Sequence, residues 1–375
     1  MTRTLRCLLS LTLLACPSHF VQAQTRPSSK PATDSLLPGP KPPDVSTKWK
    51  QLVGVYRYGN DTFTILEKKA HLIWRYEDHE WALNETSKGS FYISEERGPK
   101  TDIFPKREEG GSISQILVDP QRSVSNGSRL ARIEGKNTYL RADAGTNASN
   151  FYHVTPVQPV AELREKALKM SPPAEAGPFR KPDLVELASL DPSIHLEIRY
   201  ASAKNFLSTP VYSQARAFMQ RPAAAALVRV LHKLQPLGYG LLIHDAYRPW
   251  YVTKIFWDAT PTEGKIFVAD PQKGSKHNRG CAVDLTLYDL STGQPVEMPG
   301  LYDEMSPRSF PNFPGGTSLQ RWHRDLLRRA MESEGFTVNK DEWWHFDYKD
   351  WKQYGILNVP FEKSGMSQQP TAVSH

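Results

Sequence analysis

Residues 275–284 read Ser-Lys-His-Asn-Arg-Gly-Cys-Ala-Val-Asp, and the fold is best worked out from this stretch. His277 and Asp284 lie seven residues apart, with Gly280 placed for a turn between them. Residues 281–288 predict a strand, on which Asp284 shares one face with Ala282 and Thr286, because side chains alternate between the two faces of a strand. The stretch therefore predicts a turn leading into a strand, with an imidazole and a carboxylate at that junction.

An imidazole and a carboxylate are both good zinc ligands, but a site needs a third donor. The segment Glu342-Trp343-Trp344-His345 offers one in His345, and Glu342 adds an acid three residues earlier. Three protein ligands leave a position for water, and a nearby carboxylate can carry its proton. Residues three apart on a regular strand face opposite sides, so we expect Glu342 at a bend that precedes the strand.

Helices and strands mix in the second half of the chain. Apolar residues recur at helical spacing after residue 318, with Trp322, Leu326 and Met331 on one face that we expect to pack in the core. The fold class predicted is α+β, with a central antiparallel sheet and flanking helices. Helices are predicted at residues 223–234 and 319–334, and strands at residues 239–248, 281–288 and 341–348.

The first half of the chain has a different pattern. Short stretches of alternating polar and apolar residues, separated by Gly, Asn and Asp turns, predict a small all-β domain. Segments rich in Pro flank it and read as linkers, since they cannot bury enough apolar surface. The predicted division is a signal peptide at 1–23, a Pro-rich linker at 24–46, a small β domain of unknown role at 47–155, a second linker at 156–183, a catalytic domain at 184–360 and a disordered tail at 361–375.

The N-terminus resembles an export signal. Arg3 and Arg6 precede an apolar run at residues 8–15 that is too short to span a membrane. Two interpretations stay open: cleavage after Ala23, or lipid attachment at Cys16. In both, we expect an exported protein, periplasmic or secreted, with no transmembrane span in the mature chain.

Composition limits the partners. The net charge of +7 is compatible with association with an anionic cell envelope, but a solvated, mildly basic surface is the interpretation that the sequence favours. No block of Lys and Arg interleaved with aromatic residues occurs, so we expect no nucleic-acid partner. Only three cysteines are present, and Cys281 alone would remain after cleavage at Ala23, which excludes an internal disulfide.

The two motifs together are similar to SxHxxGxAxD and ExWH of the zinc D,D-peptidases, which include D,D-carboxypeptidases and D-alanyl-D-alanine dipeptidases. The segments 196–212, 244–250, 298–310 and 326–346 resemble the dipeptidase branch, and the similarity covers roughly residues 184–354. This resemblance implies a zinc D,D-peptidase-like domain with one Zn²⁺. Its ligands would be His277, Asp284 and His345, and Glu342 would be the general base and acid.

The resemblance also implies roles around the metal. Arg248 would stabilise the oxyanion of the reaction, Ser275 would lie near the substrate's carboxylate, and Asp303 would hold its free ammonium group. One departure is Glu197, where the family has Asp in an Asp-x-[Arg/Lys]-Tyr segment. That change leaves the catalytic set intact.

The function that the resemblance implies is zinc-dependent hydrolysis of a small D,D-dipeptide, D-Ala-D-Ala, by a metal-activated water. Its biological setting would be cell-wall turnover or resistance to glycopeptide antibiotics. Two alternatives stay open. One is a D,D-carboxypeptidase that acts on peptidoglycan stem peptides, and the other is a non-catalytic, zinc-stabilised binding module.

Overall fold

The structure is a computed structural model that describes residues 35–94, 100–109, 111–120, 137–142, 153–304 and 306–364. The predicted signal peptide, Cys16 and the last eleven residues lie outside these ranges. Within the described ranges, no helix is both long enough and apolar enough to cross a membrane.

The N-terminal part is a closed eight-stranded barrel. Each strand pairs antiparallel with the next, and the last pairs with the first, so the barrel has no free edge. Aromatic rings fill its interior, with Phe63 stacked on Trp74 at 3.5 Å between centroids. The predicted all-β character is confirmed. The strands are β1 Gly54–Tyr58, β2 Asp61–Lys68, β3 His71–Tyr76, β4 His79–Glu85, β5 Phe91–Ser94, β6 Lys100–Arg107, β7 Ile113–Pro120 and β8 Asn137–Arg141.

The second part combines helices with a five-stranded sheet. Helix α1 Thr47–Leu52 precedes the barrel, and the helices of the second part are α2 Val160–Leu168, α3 Arg221–Leu234, α4 Trp250–Ala259 and α5 Ser318–Glu332. The remaining strands are β9 Leu184–Glu186, β10 His195–Leu196, β11 Phe218–Gln220, β12 Tyr239–Asp245, β13 Ala282–Asp289, β14 Phe336–Val338 and β15 His345–Tyr348. The two helices predicted from the sequence correspond to α3 and α5.

The sheet order is β10-β12-β13-β15-β14. Three of its four pairs are antiparallel, but β10 runs parallel to β12. The predicted central antiparallel sheet is therefore confirmed for three strand pairs and wrong at the β10 edge. The physical reason is the long connection through α3, since a crossover of that length can return the chain to the same end of the sheet.

The register of this sheet places polar residues side by side. Asp284 on β13 pairs with Asp245 on β12 and with His345 on β15. Every residue of β13 except Asp289 at its end is buried, as expected for a strand covered on both faces. Three neighbouring strands thus bring a few acids and an imidazole to one place in an apolar core.

Some residues in the segments predicted as linkers and tail are buried. Leu36, in the predicted linker 24–46, packs in the core around the sheet, as do Leu163 and Ala167 of α2 in the predicted linker 156–183. Phe361, placed in the predicted tail, is fully buried. Each of these segments contributes apolar side chains to the core. Composition alone does not indicate that these side chains are buried. The exact domain boundaries stay predictions.

The barrel contacts the N-terminus of α5 through a buried acid. The carboxylate of Glu67, at the end of β2, accepts hydrogen bonds from Ser318 N at 2.6 Å and from Ala70 N at 2.6 Å. Arg321 donates to the Glu67 carbonyl at 2.6 Å. An acid is favourable there because the first N–H groups of a helix lack partners and carry partial positive charge.

Candidate metal centre and active site

Three side chains converge where the sheet register brings β13 and β15 together. His277 Nε2 lies 3.3 Å from Asp284 Oδ1 and 3.1 Å from His345 Nδ1. His345 Nδ1 lies 3.0 Å from the same oxygen. All three residues are buried, and the three atoms form a compact group that could hold a metal ion.

Outer hydrogen bonds fix how both imidazoles face this group. His277 Nδ1 lies 2.6 Å from the Ala246 carbonyl, which can only accept, so Nδ1 carries the proton. His345 Nε2 lies 2.9 Å from Asp347 Oδ1, so this nitrogen donates to the carboxylate. Each ring therefore turns a lone pair inward, as metal-ligating histidines do.

Asp284 completes the fit of the group to a cation. Its Oδ1 is buried and accepts no hydrogen bond from the described residues, while Tyr302 donates to Oδ2 at 3.1 Å. Burial opposes ionisation of Asp284, but the imidazoles of His277 and His345 outweigh it and hold its pKa well below the ordinary value. An ionised carboxylate with one unused oxygen, facing two nitrogen lone pairs, is the environment that a metal ion satisfies.

The Asp347 carboxylate supports this arrangement, and its loss should weaken metal binding. Asp347→Asn keeps the shape but offers an amide in place of a carboxylate, so His345 loses the partner that fixes its tautomer. We expect metal affinity to fall about 10- to 100-fold. Competition with a chromophoric chelator would measure it, and Asp350→Asn, three residues along, should stay close to the parent chain. Equal affinities for Asp347→Asn and the parent would exclude this role.

The turn that carries His277 depends on Gly280. Residues His277–Arg279 form a short 3-10 turn, and Gly280 ends it with φ of +68°. A β-carbon at this position would lie 2.6 Å from Leu184 Cδ2. Glycine is therefore needed for both backbone conformation and space.

Gly280→Ala is expected to destabilise the fold by at least about 1–2 kcal/mol, the cost of an L-residue in the left-handed region. Gly293→Ala is the matched control, since Gly293 has φ of +69° and no atom within 4 Å of the added carbon. Thermal unfolding should show a larger loss for Gly280→Ala, and only that variant should lose metal affinity. Indistinguishable variants would contradict the importance of this close contact.

Glu342 lies beside the metal group, outside the strand. β15 begins only at His345, and the His345 N–H closes a turn onto the Glu342 carbonyl at 3.4 Å. The bend predicted at Glu342 is confirmed. Glu342 Oε2 lies 3.6 Å from His345 Nδ1 and accepts a hydrogen bond from Asn339 Nδ2 at 3.1 Å. Burial and the negative charge of Asp284 raise the pKa of Glu342 despite the opposing effect of His345.

Arg248 is held rigidly on the same side. Its Nε and Nη2 donate to Asp245 Oδ2 at 3.0 and 2.7 Å, and Asp245 also accepts from Tyr212. The guanidinium lies over the rings of Tyr200 and Phe256, at 5.2 and 4.9 Å from their centroids. Nη2 reaches 4.0 Å from Asp284 Oδ2. A fixed, buried cation thus borders the metal group.

Asp303 and Ser275 lie further out. Tyr200 donates to the Asp303 carboxylate at 3.0 Å, and Asp303 itself has φ of +57°, a conformation rare outside glycine. Burial and the charges of Asp284 and Glu342 raise its pKa well above the ordinary value. Ser275 accepts from the His277 N–H at 3.2 Å. Its hydroxyl proton can therefore be donated elsewhere.

One cavity of about 460 Å³ unites these groups. All seven residues singled out in the sequence line it: Arg248, Ser275, His277, Asp284, Asp303, Glu342 and His345. The residues that orient them were not predicted: Tyr200, Asp245, Tyr302, Asn339 and Asp347. A signal existed for Asp347, which follows His345 by two residues and so shares its face of the strand. The roles assigned to the seven residues stay predictions.

Comparison with known proteins identifies relatives of the part of the chain that contains this cavity. A family model described as D-ala-D-ala dipeptidase matches residues 180–363. The D-alanyl-D-alanine dipeptidase of Escherichia coli (strain K12) is 36% identical over 179 residues, which are 48% of this chain and 91% of that protein. That of Enterococcus faecalis (strain ATCC 700802 / V583) is 34% identical over 185 residues, 43% of this chain and 90% of the relative. That of Streptomyces coelicolor (strain ATCC BAA-471 / A3(2) / M145) is 32% identical over 186 residues, which are 45% of this chain and 92% of the relative.

These relatives are matched over nearly their whole length, and the matched family segment contains every residue of the cavity group. The resemblance inferred from the two motifs is confirmed. The chain belongs to the D-alanyl-D-alanine dipeptidase family of peptidases.

Proposed function

We propose that this protein is a zinc-dependent dipeptidase with a zinc D,D-peptidase-like domain, and that it hydrolyses D-Ala-D-Ala. The observation that carries the proposal is the inward-facing group of His277, Asp284 and His345 with Glu342 beside it. Tetrahedral zinc, with bonds of about 2.0–2.1 Å, separates its ligand atoms by about 3.3 Å. The three donor atoms here lie 3.0–3.3 Å apart.

A zinc ion held by these three residues would polarise the scissile carbonyl and lower the pKa of a water molecule to about 7. Glu342 takes the proton from the attacking water and returns it to the leaving amine. Its raised pKa suits both tasks, because a base that is too weakly basic would not take a proton at neutral pH. Arg248 stabilises the developing oxyanion with a guanidinium that Asp245 already holds in place.

Recognition of a dipeptide rests on its two charged ends. Asp303, Asp284 and Glu342 place three carboxyl groups in one cavity, and a substrate ammonium group beside Asp303 would favour its ionised form by offsetting the repulsion that raises its pKa. Ser275 and the exposed Lys273 also line the cavity, and a hydroxyl with an ammonium group can bind a carboxylate. The free amino group of the substrate would therefore contact Asp303 directly. This contact favours a dipeptide over an N-acylated stem peptide.

The test compares free D-Ala-D-Ala with its N-acetylated form, using zinc-loaded full-length protein. Acetylation removes the ammonium charge and leaves Asp303 without a partner, so we expect kcat/KM to fall at least about 100-fold. Asp303→Asn should raise KM for the free dipeptide and narrow the gap between the two substrates. Efficient cleavage of the acetylated peptide would instead establish a D,D-carboxypeptidase. Zinc binding without any cleavage would establish a binding module.

For the cellular setting, we propose export, periplasmic or secreted, and a role in cell-wall turnover or glycopeptide resistance. The apolar run at residues 8–15 and the preceding arginines support export. Fractionation of cells expressing the full chain would test this, and a cytoplasmic location would contradict it.

A further inference from the structure

A second cavity of about 370 Å³ lies next to the first one along β13. Asp284 and Thr286 share a face of this strand, since they are two positions apart, and they line the first and the second cavity respectively. Tyr302 lines the second cavity and also donates to Asp284 at 3.1 Å. The two cavities are thus neighbours joined through one tyrosine.

Thr286 and Trp343 line the second cavity, and each has a buried polar atom with no hydrogen-bond partner among the described residues. These atoms are Oγ1 of Thr286, a residue 5% exposed, and Nε1 of Trp343, a residue 3% exposed. Such groups are nearly always paired in folded proteins, because each unpaired one costs about 1–3 kcal/mol. An indole N–H can only donate, and a hydroxyl can donate as well. Both atoms therefore call for a ligand that accepts hydrogen bonds.

The charges around the second cavity also favour a ligand that accepts hydrogen bonds. Its acids are already engaged: Glu197 pairs with Arg199 at 3.1 Å, and Glu297 pairs with Lys50 at 2.9 Å. Lys204, in contrast, is exposed and forms no ion pair within the described ranges. The groups that remain available are two donors and one ammonium, which together select a negatively charged acceptor.

His244 adds no charge to this wall. It is buried, and burial together with the nearby Arg199 lowers its pKa to about 3, so the ring is neutral at physiological pH. Its Nδ1 lies 3.4 Å from the Glu197 carbonyl. A neutral ring leaves the ammonium of Lys204 as the available positive charge of the cavity.

We propose that this second cavity binds a small carboxylate-bearing molecule of amino-acid size, held by Trp343 Nε1 and Thr286 Oγ1 together with Lys204, which also lines it. The volume lies within the range of about 300–1,000 Å³ typical of small-molecule sites. The site is separate from the residues assigned to hydrolysis, so its existence does not depend on the proposed reaction.

The experiment follows the indole N–H signals of the zinc-loaded full chain by NMR, during titration with sodium acetate. The chain has nine tryptophans, and the signal missing from Trp343→Phe identifies Trp343. We expect a saturable downfield shift of that signal with acetate and none with sodium chloride at equal ionic strength. Titrations with D-alanine and L-alanine identify the source: tighter binding of one of them than of acetate marks an amino-acid site, and equal binding marks a general carboxylate site.

Thr286→Val is the matched variant, because it removes the hydroxyl and keeps the shape. It should weaken acetate binding about tenfold and leave kcat/KM for D-Ala-D-Ala within threefold. If this variant fails to fold, Lys204→Gln on the surface should weaken acetate binding instead. A signal that does not shift with any carboxylate would overturn the proposal, since water would then satisfy both atoms. The proposal would also be overturned if the Trp343 signal shifted with acetate at the same affinity in Thr286→Val and in Lys204→Gln as in the parent chain. Acetate would then bind in the first cavity.

Discussion

Glu342→Gln is expected to lower kcat for D-Ala-D-Ala by about 10³-fold while the metal stays bound. The amide keeps the size of the side chain and can keep a contact with Asn339, but it cannot take a proton from water. General acid–base catalysis contributes about 10²- to 10⁴-fold, and here one group serves both steps. The loss should fall on kcat, because in the proposed mechanism Glu342 acts on the reacting water and the leaving amine. Steady-state kinetics on metal-quantified protein would measure it.

Asp341→Asn is the matched control for this variant. Asp341 also lines the first cavity, but it is more exposed and pairs with Lys340 at 3.0 Å. We expect less than a threefold change in kcat. If Glu342→Gln kept more than a tenth of the parent activity with full metal content, another group would have to be the base.

Arg248→Lys is expected to lower kcat by about 10²-fold or more, with a smaller change in KM. Loss of one oxyanion-stabilising donor costs about 10²- to 10³-fold in kcat. Lysine keeps a positive charge near Asp245 but lacks the planar fork that can hold Asp245 and a developing oxyanion together. Arg248→Met would do more damage, because it also leaves the buried Asp245 unpaired, at a cost of about 3–5 kcal/mol in stability.

Stability and catalysis can be separated with Arg279→Lys. Arg279 is another buried arginine that lines the first cavity, but it donates to the Tyr354 carbonyl at 2.6 Å and pairs with Glu175. Its replacement should lower the unfolding temperature and leave kcat within about threefold. A fall in kcat that merely follows unfolding temperature across both variants would remove Arg248 from the mechanism.

The sequence was most informative where chemistry depends on a short motif. His277, Asp284 and His345 could be found because ligand spacing around a glycine turn and before an apolar strand is a local property. Even the bend at Glu342 followed from alternation along a strand. These three side chains converge because of the strand order β12-β13-β15, which no local sequence pattern specifies. Only the resemblance to known peptidases predicted that the three residues come together.

The residues that orient the site were harder to predict. Asp245 contacts Arg248 three residues along the chain, whereas Tyr200 contacts Asp303 and Tyr302 contacts Asp284 across 103 and 18 residues. In the sequence alone, Asp245 resembles an acid at a strand end, and the two tyrosines resemble core aromatics. The parallel edge strand β10 is only two residues long, which is too short for an alternation pattern. The packed linkers were missed for another reason: their composition resembles disorder, and only tertiary contacts reveal that Leu36 and Leu163 are buried.

The contact of Glu67 with α5 has a consequence for how the barrel is attached. The matched family segment, residues 180–363, includes α5 but not the barrel. Thr317 and Gln320 already form a reciprocal capping pair at this helix end, so the helix does not need the barrel in order to begin. Glu67 uses the N–H of Ser318, which that pair leaves over. The barrel can thus attach to this end of α5 while the capping pair and the residues that line the first cavity keep their own contacts.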